Sequence, residues 1–336
     1  MPDSLGKVAV LGAGSWGTAL AIQLAKNQVD VNLWGHLPAE IEQLQQDREN
    51  RRFLPGLAFP EQLTPQTDLQ TSLSGVDEVL IVVPSHAFAA VLQRIKPLLP
   101  PQAAISWATK GLDPHSNLLL SEVARRELGP AHPMTVISGP TFAREVAMGL
   151  PTAIVIASTD ASHAETLTRY LKDDAFRPYT SEDIIGVQIG GAAKNIMAIA
   201  AGICDGLGFG ANTRAALITR GLVEITRLGT ALGGHTETFM GLAGLGDLVL
   251  TCTDDQSRNR RLGLALASGM NIEQAKQQIG QEVEGIATAR EVYKKATELN
   301  IEMPITEQAY RVLYEGLDPH DAVTQLLSRE TRAEQD

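Results

Sequence analysis

A lysine embedded in a run of small and apolar residues is a candidate proton carrier. Lys194 lies in Ile189-Gly-Gly-Ala-Ala-Lys-Asn-Ile-Met-Ala-Ile-Ala-Ala-Gly-Ile-Cys204, where every side chain except Lys194 and Asn195 is small or apolar. A segment of that kind belongs in a protein interior, so the ammonium is expected to be partly desolvated. Desolvation disfavours the charged form and lowers a lysine pKa toward neutrality. A lysine so tuned can both give and take a proton at physiological pH. The plainer alternative is a lysine that snorkels to solvent from a buried helix.

Other residues supply what such a proton carrier needs. Gly241-Leu-Ala-Gly-Leu-Gly-Asp247 places one carboxylate in an apolar, glycine-rich segment. A buried carboxylate requires a partner, and Lys194 is the natural one; helix capping is the alternative role. Gln256-Ser-Arg-Asn-Arg-Arg261 is a basic knot in an acidic chain. Ser257 and Asn259 offer donors, and Arg258 offers the planar fork that suits phosphate. The knot opens a predicted helix, whose dipole favours an anion. Arg260 and Arg261 read individually as a solvated basic face. Trp107-Ala-Thr-Lys-Gly111 and Ser138-Gly-Pro-Thr-Phe-Ala143 each follow a predicted strand. Strand carboxyl ends are where open α/β sheets bind ligands, which favours Lys110; plain turn chemistry is the alternative for both segments.

The elements that must position these groups fall into two halves. Strand and helix signals alternate at first: strands at 8–11, 29–34, 79–83, 103–108, 135–138 and 153–157, and helices at 15–26, 38–46, 87–95, 116–128 and 160–171. Residues 51–65, rich in proline, read as a loop. Such alternation implies a mostly parallel sheet covered on both faces. From about Ser181 helical periodicity takes over, with helices expected over 184–203, 213–232, 256–267, 272–279, 287–299 and 306–314. The expected fold is therefore a Rossmann-like α/β domain over 1–182 followed by an all-helical domain over 183–330, with 331–336 a frayed tail.

Gly12-Ala-Gly-Ser-Trp-Gly17 fits G-x-G-x-x-G and sits between a strand signal and a helix signal. In that setting Gly12 permits the tight turn, Gly14 lets a pyrophosphate approach the backbone, and Gly17 lets the helix pack on the strand. The helix N-terminus then faces the phosphates. The second strand ends Leu33-Trp34-Gly35-His36-Leu37 without the acid that commonly reads an NAD ribose. A 2′-phosphate meets no repulsion there, and His36 can hydrogen-bond it. NADP(H) is favoured and NAD(H) remains possible. His36 reads equally as an exposed loop residue.

Bulk properties narrow the class. The 336 residues suggest about two domains at roughly 100–200 residues each. A net charge of -11, with no second basic patch or aromatic interleaving, argues against nucleic acid. Two cysteines are too few for a disulfide framework or a four-cysteine zinc site, so no metal is expected. No uninterrupted apolar run reaches the roughly 18 residues of a membrane span, and the N-terminus lacks a signal-peptide pattern. The expectation is a cytoplasmic protein.

With these residues in hand, the chain resembles the bacterial NAD(P)-dependent glycerol-3-phosphate dehydrogenases over roughly Lys7 to Leu327. The carrying motifs are Gly12–Gly17, Val83-Pro-Ser-His86, Trp107–Gly111, Ser138–Ala143, Gly191-Ala-Ala-Lys-Asn-Ile196, Gly241–Asp247, Asp255-Gln-Ser-Arg-Asn-Arg260 and Glu282-Val-Glu-Gly285. The resemblance implies that Lys194 transfers the proton, with Lys110 and Asp247 completing the catalytic set. It implies a substrate site lined by Lys110, Gly139, Thr141, Lys194, Asp247, Ser257, Arg258 and Asn259. It implies cofactor contacts from Ser15, Trp16, His36, Lys110, Ala143, Arg258 and Glu284. It further implies a homodimer that takes a small phosphorylated substrate and supplies glycerol 3-phosphate for phospholipids. The nearest rival is a β-hydroxyacid or 6-phosphogluconate-type dehydrogenase, in which Lys and Asn are several residues apart rather than adjacent. A non-catalytic NADP-sensing protein is a further rival, and it lacks a reason to carry the Lys–Asp–Arg set.

Overall fold

The computed structural model describes residues 5–129 and 132–329; the expected tail at 331–336 lies outside them. Eight strands form one sheet: β1 (Lys7–Leu11), β2 (Asp30–Trp34), β3 (Leu63–Gln66), β4 (Glu78–Ile81), β5 (Ala104–Trp107), β6 (Thr135–Ser138), β7 (Thr152–Ser158) and β8 (Phe176–Ser181). Their spatial order is β3-β2-β1-β4-β5-β6-β7-β8. All neighbours pair in parallel except β6 with β7. This is the doubly wound order, reversing direction at β1, and its ligand crevice lies beyond the carboxyl ends of the strands. Apolar clusters cover both faces of the sheet: Leu20, Leu24, Ile137 and Ile156 on one, and Phe88, Ile105 and Trp107 on the other. Burial on two faces explains the unbroken apolar runs of β1 and β4.

Past Ser181 every regular element is helical among the described residues. The centre is the helix Ile184–Gly206, started by Asp183, whose carboxylate accepts from Gly186 N at 2.8 Å and His235 N at 2.9 Å. It is buried from Gly186 to Cys204. An all-round apolar helix must be wrapped by others, and the third apolar core does this with Leu228, Phe239, Leu248, Leu262 and Val292. Its length and mean hydropathy of 1.4 would suffice to cross a bilayer, yet 89% of that window is buried inside the protein. Two glycines set the tightest helix crossing. A Cβ on Gly202 would stand 2.1 Å from Arg260 O, and one on Gly263 would stand 2.1 Å from Ile199 O. The backbones of Ile184–Gly206 and Arg258–Ala267 therefore touch.

Several expectations need correcting. The span 51–65 is not all loop: β3 begins at Leu63, and Pro65 is tolerated because β3 is an edge strand. The helix expected from Ser116 begins at Leu120, because an antiparallel bridge between Leu112 and Leu119 closes a turn containing Asn117 at φ 56°. β8 carries no legible signal: it is largely exposed and contains Pro178. The short helices Leu69–Leu73, Thr236–Phe239, Asp247–Thr253 and Pro319–Leu327 were also not expected.

Candidate active site

The sheet's carboxyl edge and the helical half meet at one buried carboxylate. Asp247 follows a π-helical turn, Leu242–Gly246, and opens the helix Asp247–Thr253 with no solvent exposure. Such turns recur at functional sites. Lys194 Nζ donates to Asp247 Oδ1 at 2.5 Å and to Thr251 Oγ1 at 3.1 Å. Lys110 Nζ donates to Asp247 Oδ2 at 2.8 Å. Lys110 comes from the segment that leaves β5, where Thr109 Oγ1 donates to Val83 O at 2.8 Å and fixes the strand exit. The two halves of the chain thus grip one carboxylate from opposite sides. Lys194 is buried, and its snorkelling alternative is excluded. Burial lowers its pKa from the ordinary lysine value to about 8, with Asp247 opposing the fall and Lys110 adding to it.

Above this centre lies a cleft of about 600 Å³. Lys194, Lys110, Thr141, Ala143, Ser15, Trp16, Ser257, Arg258, Asn259 and Glu284 all line it. The sequence-derived set is therefore largely brought together. Gly139 and Asp247 do not line it: Asp247 lies beneath the lysines, and Gly139 O accepts from Thr141 Oγ1 at 3.3 Å. His36 stands exposed beyond β2, outside the cleft wall. Ser257 caps the helix Arg258–Ala267, its Oγ accepting from Arg260 N at 3.2 Å. Asn259 Oδ1 accepts from Gly285 N at 2.9 Å, which locks Asn259 against the first turn of the helix Glu284–Glu298. A wider groove of about 880 Å³ lies between the Met270–Lys276 and Val312–His320 segments, but it holds none of these groups.

Arg260 corrects the sequence reading. It is buried rather than solvated, pairing with Asp205 and, at 2.8 Å, with Asp255 Oδ1. Its role is to anchor the knot so that Arg258 faces the cleft. Arg261, half-buried, also lines the cleft. Sequence reasoning passed over Asn195, Thr251, Phe53 and Gln281, all cleft-lining. Asn195 had a signal, being the other polar residue in the apolar run. Its Nδ2 is buried without a hydrogen-bond partner, an unmet donor at the cleft wall.

The glycine turn fits a dinucleotide. A Cβ on Gly12, at φ +125°, would stand 2.2 Å from Val82 O, whereas one on Gly14 would meet nothing within 4 Å. The helix Ser15–Lys26 has no side-chain cap, so its first N–H groups are left to an outside acceptor. Trp16 Nε1 is also buried without a partner.

Fold and site together define a two-domain, dinucleotide-dependent dehydrogenase with a lysine–carboxylate centre. Residues 7–164 match the family description "NAD-dependent glycerol-3-phosphate dehydrogenase N-terminus", and residues 183–324 match its C-terminus. The chain is 56% identical over 328 residues to a glycerol-3-phosphate dehydrogenase [NAD(P)+] of Shewanella halifaxensis, covering 97% of each chain. It is similar to the crystal structure of a glycerol-3-phosphate dehydrogenase from Coxiella burnetii, with a TM-score of 0.94 and 51% identity over 96% of this chain and 99% of that one. D-mandelate dehydrogenase, solved with NADH, shares the fold alone, with a TM-score of 0.61 and 13% identity over 92% of this chain and 98% of that one. The chain belongs to the NAD-dependent glycerol-3-phosphate dehydrogenase family.

Proposed function

We propose that the chain catalyses the reversible reduction of dihydroxyacetone phosphate to sn-glycerol 3-phosphate with a nicotinamide dinucleotide. One observation carries this reading: the buried Lys194 ammonium, held by Asp247, opens onto a cleft that also presents the helix start at Ser257-Arg258-Asn259. Proton donor and phosphate clamp thereby face one small substrate. Residues 1–182 serve as the dinucleotide domain and 183–330 as the substrate domain.

Arg258, the Ser257 hydroxyl, Asn259 and the helix N-terminus hold the substrate phosphate. That remote binding energy orients the C2 carbonyl over Lys194. Gly12, Gly14, Ser15, Trp16, Gly17, Ala143 and Glu284 hold the dinucleotide, with His36 near its adenosine end. A nicotinamide held there would supply the hydride. Lys194 donates its proton to the developing alkoxide oxygen, and in the reverse direction neutral Lys194 takes the hydroxyl proton. A pKa of about 8 keeps both forms accessible near neutrality. Lys110 stabilises negative charge on the same oxygen, and Asn195 Nδ2 adds a donor beside it. Gly139 and Thr141 close the substrate side of the strand exit.

The resemblance supports a homodimer that feeds phospholipid synthesis, and the β2 end without an acid supports a preference for NADP(H). Two free, buried cysteines, Cys204 and Cys252, suit the reducing cytoplasm. Initial rates with dihydroxyacetone phosphate and either NADPH or NADH test the reaction. Turnover is expected with both, faster with NADPH. Absence of turnover despite tight nucleotide binding overturns the reading.

A further inference from the structure

β2 ends without an acid, yet a carboxylate and a guanidinium stand paired just beyond it. The glycine turn is tied to the β2 exit: Gly12 N donates to Trp34 O at 2.8 Å, and a Cβ on Gly35 would lie 3.2 Å from Ala13 Cβ. The segment after the Pro38–Asp47 helix folds back onto this turn. Buried Asn50 donates through Nδ2 to Ala13 O at 3.0 Å and to Thr18 Oγ1 at 2.9 Å. Phe53 and Leu54 then line the cleft beside Ser15 and Trp16. Arg52, between Asn50 and Phe53, is therefore held close to the glycine turn. Its guanidinium lies over the Phe53 ring at 5.0 Å and pairs with Glu40 in the first turn of the Pro38–Asp47 helix.

Two neighbouring arginines are otherwise engaged, and a third lies elsewhere. Arg48 donates to Leu63 O and Pro60 O, both at 2.7 Å, and Arg144 donates to Pro55 O at 3.0 Å. Arg51 pairs with Asp47, at the far end of the helix from β2. The Arg52–Glu40 side chains are 62% and 43% exposed, so the pair is weak and exchangeable. The helix Pro38–Asp47 starts just past β2 without a side-chain cap at Leu37, and its dipole favours an anion there.

We propose that the Arg52–Glu40 pair is the discriminating element for the adenosine 2′ position. Arg52 leaves Glu40 to bind a 2′-phosphate, in a charge-assisted contact stronger than the exposed pair. Glu40 accepts a hydrogen bond from a 2′-hydroxyl when that phosphate is absent. One pair thereby serves both nucleotides, and the acid missing from the β2 end is supplied four residues beyond His36, at Glu40. The proposal rests on the dinucleotide reading of the glycine turn.

Calorimetric titration with 2′,5′-ADP and with 5′-ADP separates the two. Arg52→Ala is expected to weaken 2′,5′-ADP by about ten- to a hundredfold and to leave 5′-ADP within about twofold. Glu40→Gln is expected to tighten 2′,5′-ADP and to weaken 5′-ADP, each by a few-fold, with the NADPH to NADH ratio of KM moving in step. Arg51→Ala moves neither. Equal effects of Arg52→Ala on both nucleotides, or none, overturn the assignment. Failure of the unaltered protein to bind either nucleotide overturns the reading of the glycine turn, and the assignment with it.

Discussion

Asp247→Asn is the sharpest perturbation of the centre, because it removes the charge and keeps the shape. In the folded chain Asp247 accepts from Lys194 at 2.5 Å and from Lys110 at 2.8 Å. At an effective dielectric of about 20, charges at this range attract by roughly 6 kcal/mol, or upwards of about four pKa units. The amide dipole and local relaxation recover part of this, so a fall of Lys194 from about 8 to roughly 6 is expected. At pH 7 the protonated fraction then drops from about nine-tenths to about one-tenth. Loss of the carboxylate that orients the ammonium adds to this, giving a fall in kcat for ketone reduction of about a hundredfold. The assay is kcat against pH in the reducing direction. The unaltered protein should lose activity as pH rises through about 8, because the acid form is consumed. In the variant that limb should move to lower pH, and part of the activity should return near pH 5.5 as the ammonium reforms. A variant with kcat within about threefold of the original and an unmoved limb would refute the view that Asp247 holds the proton on Lys194.

Further outcomes are expected. Lys194→Ala should abolish turnover while leaving nucleotide affinity nearly unchanged, checked by fluorescence titration with NADPH; wild-type kcat would remove Lys194 from the chemistry. Arg258→Ala should raise KM steeply for the phosphorylated ketone, and an equal loss on an unphosphorylated analogue would sink the clamp. Gly202→Ala should cost about 1–3 kcal/mol in urea unfolding, since its Cβ would meet Arg260 O at 2.1 Å and the backbone must shift. Glu291 is buried with neither carboxylate oxygen in a well-aligned hydrogen bond, and burial pushes its carboxyl up to about 7, the nearby Leu112 amide only partly opposing this. The folded chain then keeps a proton that the unfolded chain has lost, so stability falls as pH rises from about 4.5 to about 7. Glu291→Gln should therefore stabilise by up to about 3 kcal/mol at pH 8 and by little at pH 4, and equal effects at both would contradict the assignment.

What could be read from sequence depended on how far apart the cooperating residues lie. The glycine turn and its flanking strand and helix are contiguous, so local rules place them. Lys194 was legible because its type conflicts with its neighbours. Arg260 was misread because one of its partners, Asp205, lies 55 residues away, and nothing local distinguishes it from a solvated base. β8 escaped notice because an exposed strand interrupted by Pro178 lacks both the alternation and the apolar run that mark strands. The Arg52–Glu40 pair joins residues 12 apart across a helix and a turn, and only the fold brings them to the β2 exit.

The glycine-to-glycine crossing of Ile184–Gly206 and Arg258–Ala267 makes the helical half a fixed gauge. With Gly202 and Gly263 in backbone contact, neither helix can slide without steric overlap. The spacing between the backbones that carry Lys194 and Arg258, the proposed proton donor and phosphate clamp, is thus set by main chain. A ketone one carbon longer has to lift its phosphate off the helix start or carry its carbonyl past the lysine. Under the proposed function, selection by molecular length would then rest on two glycines outside the cleft lining.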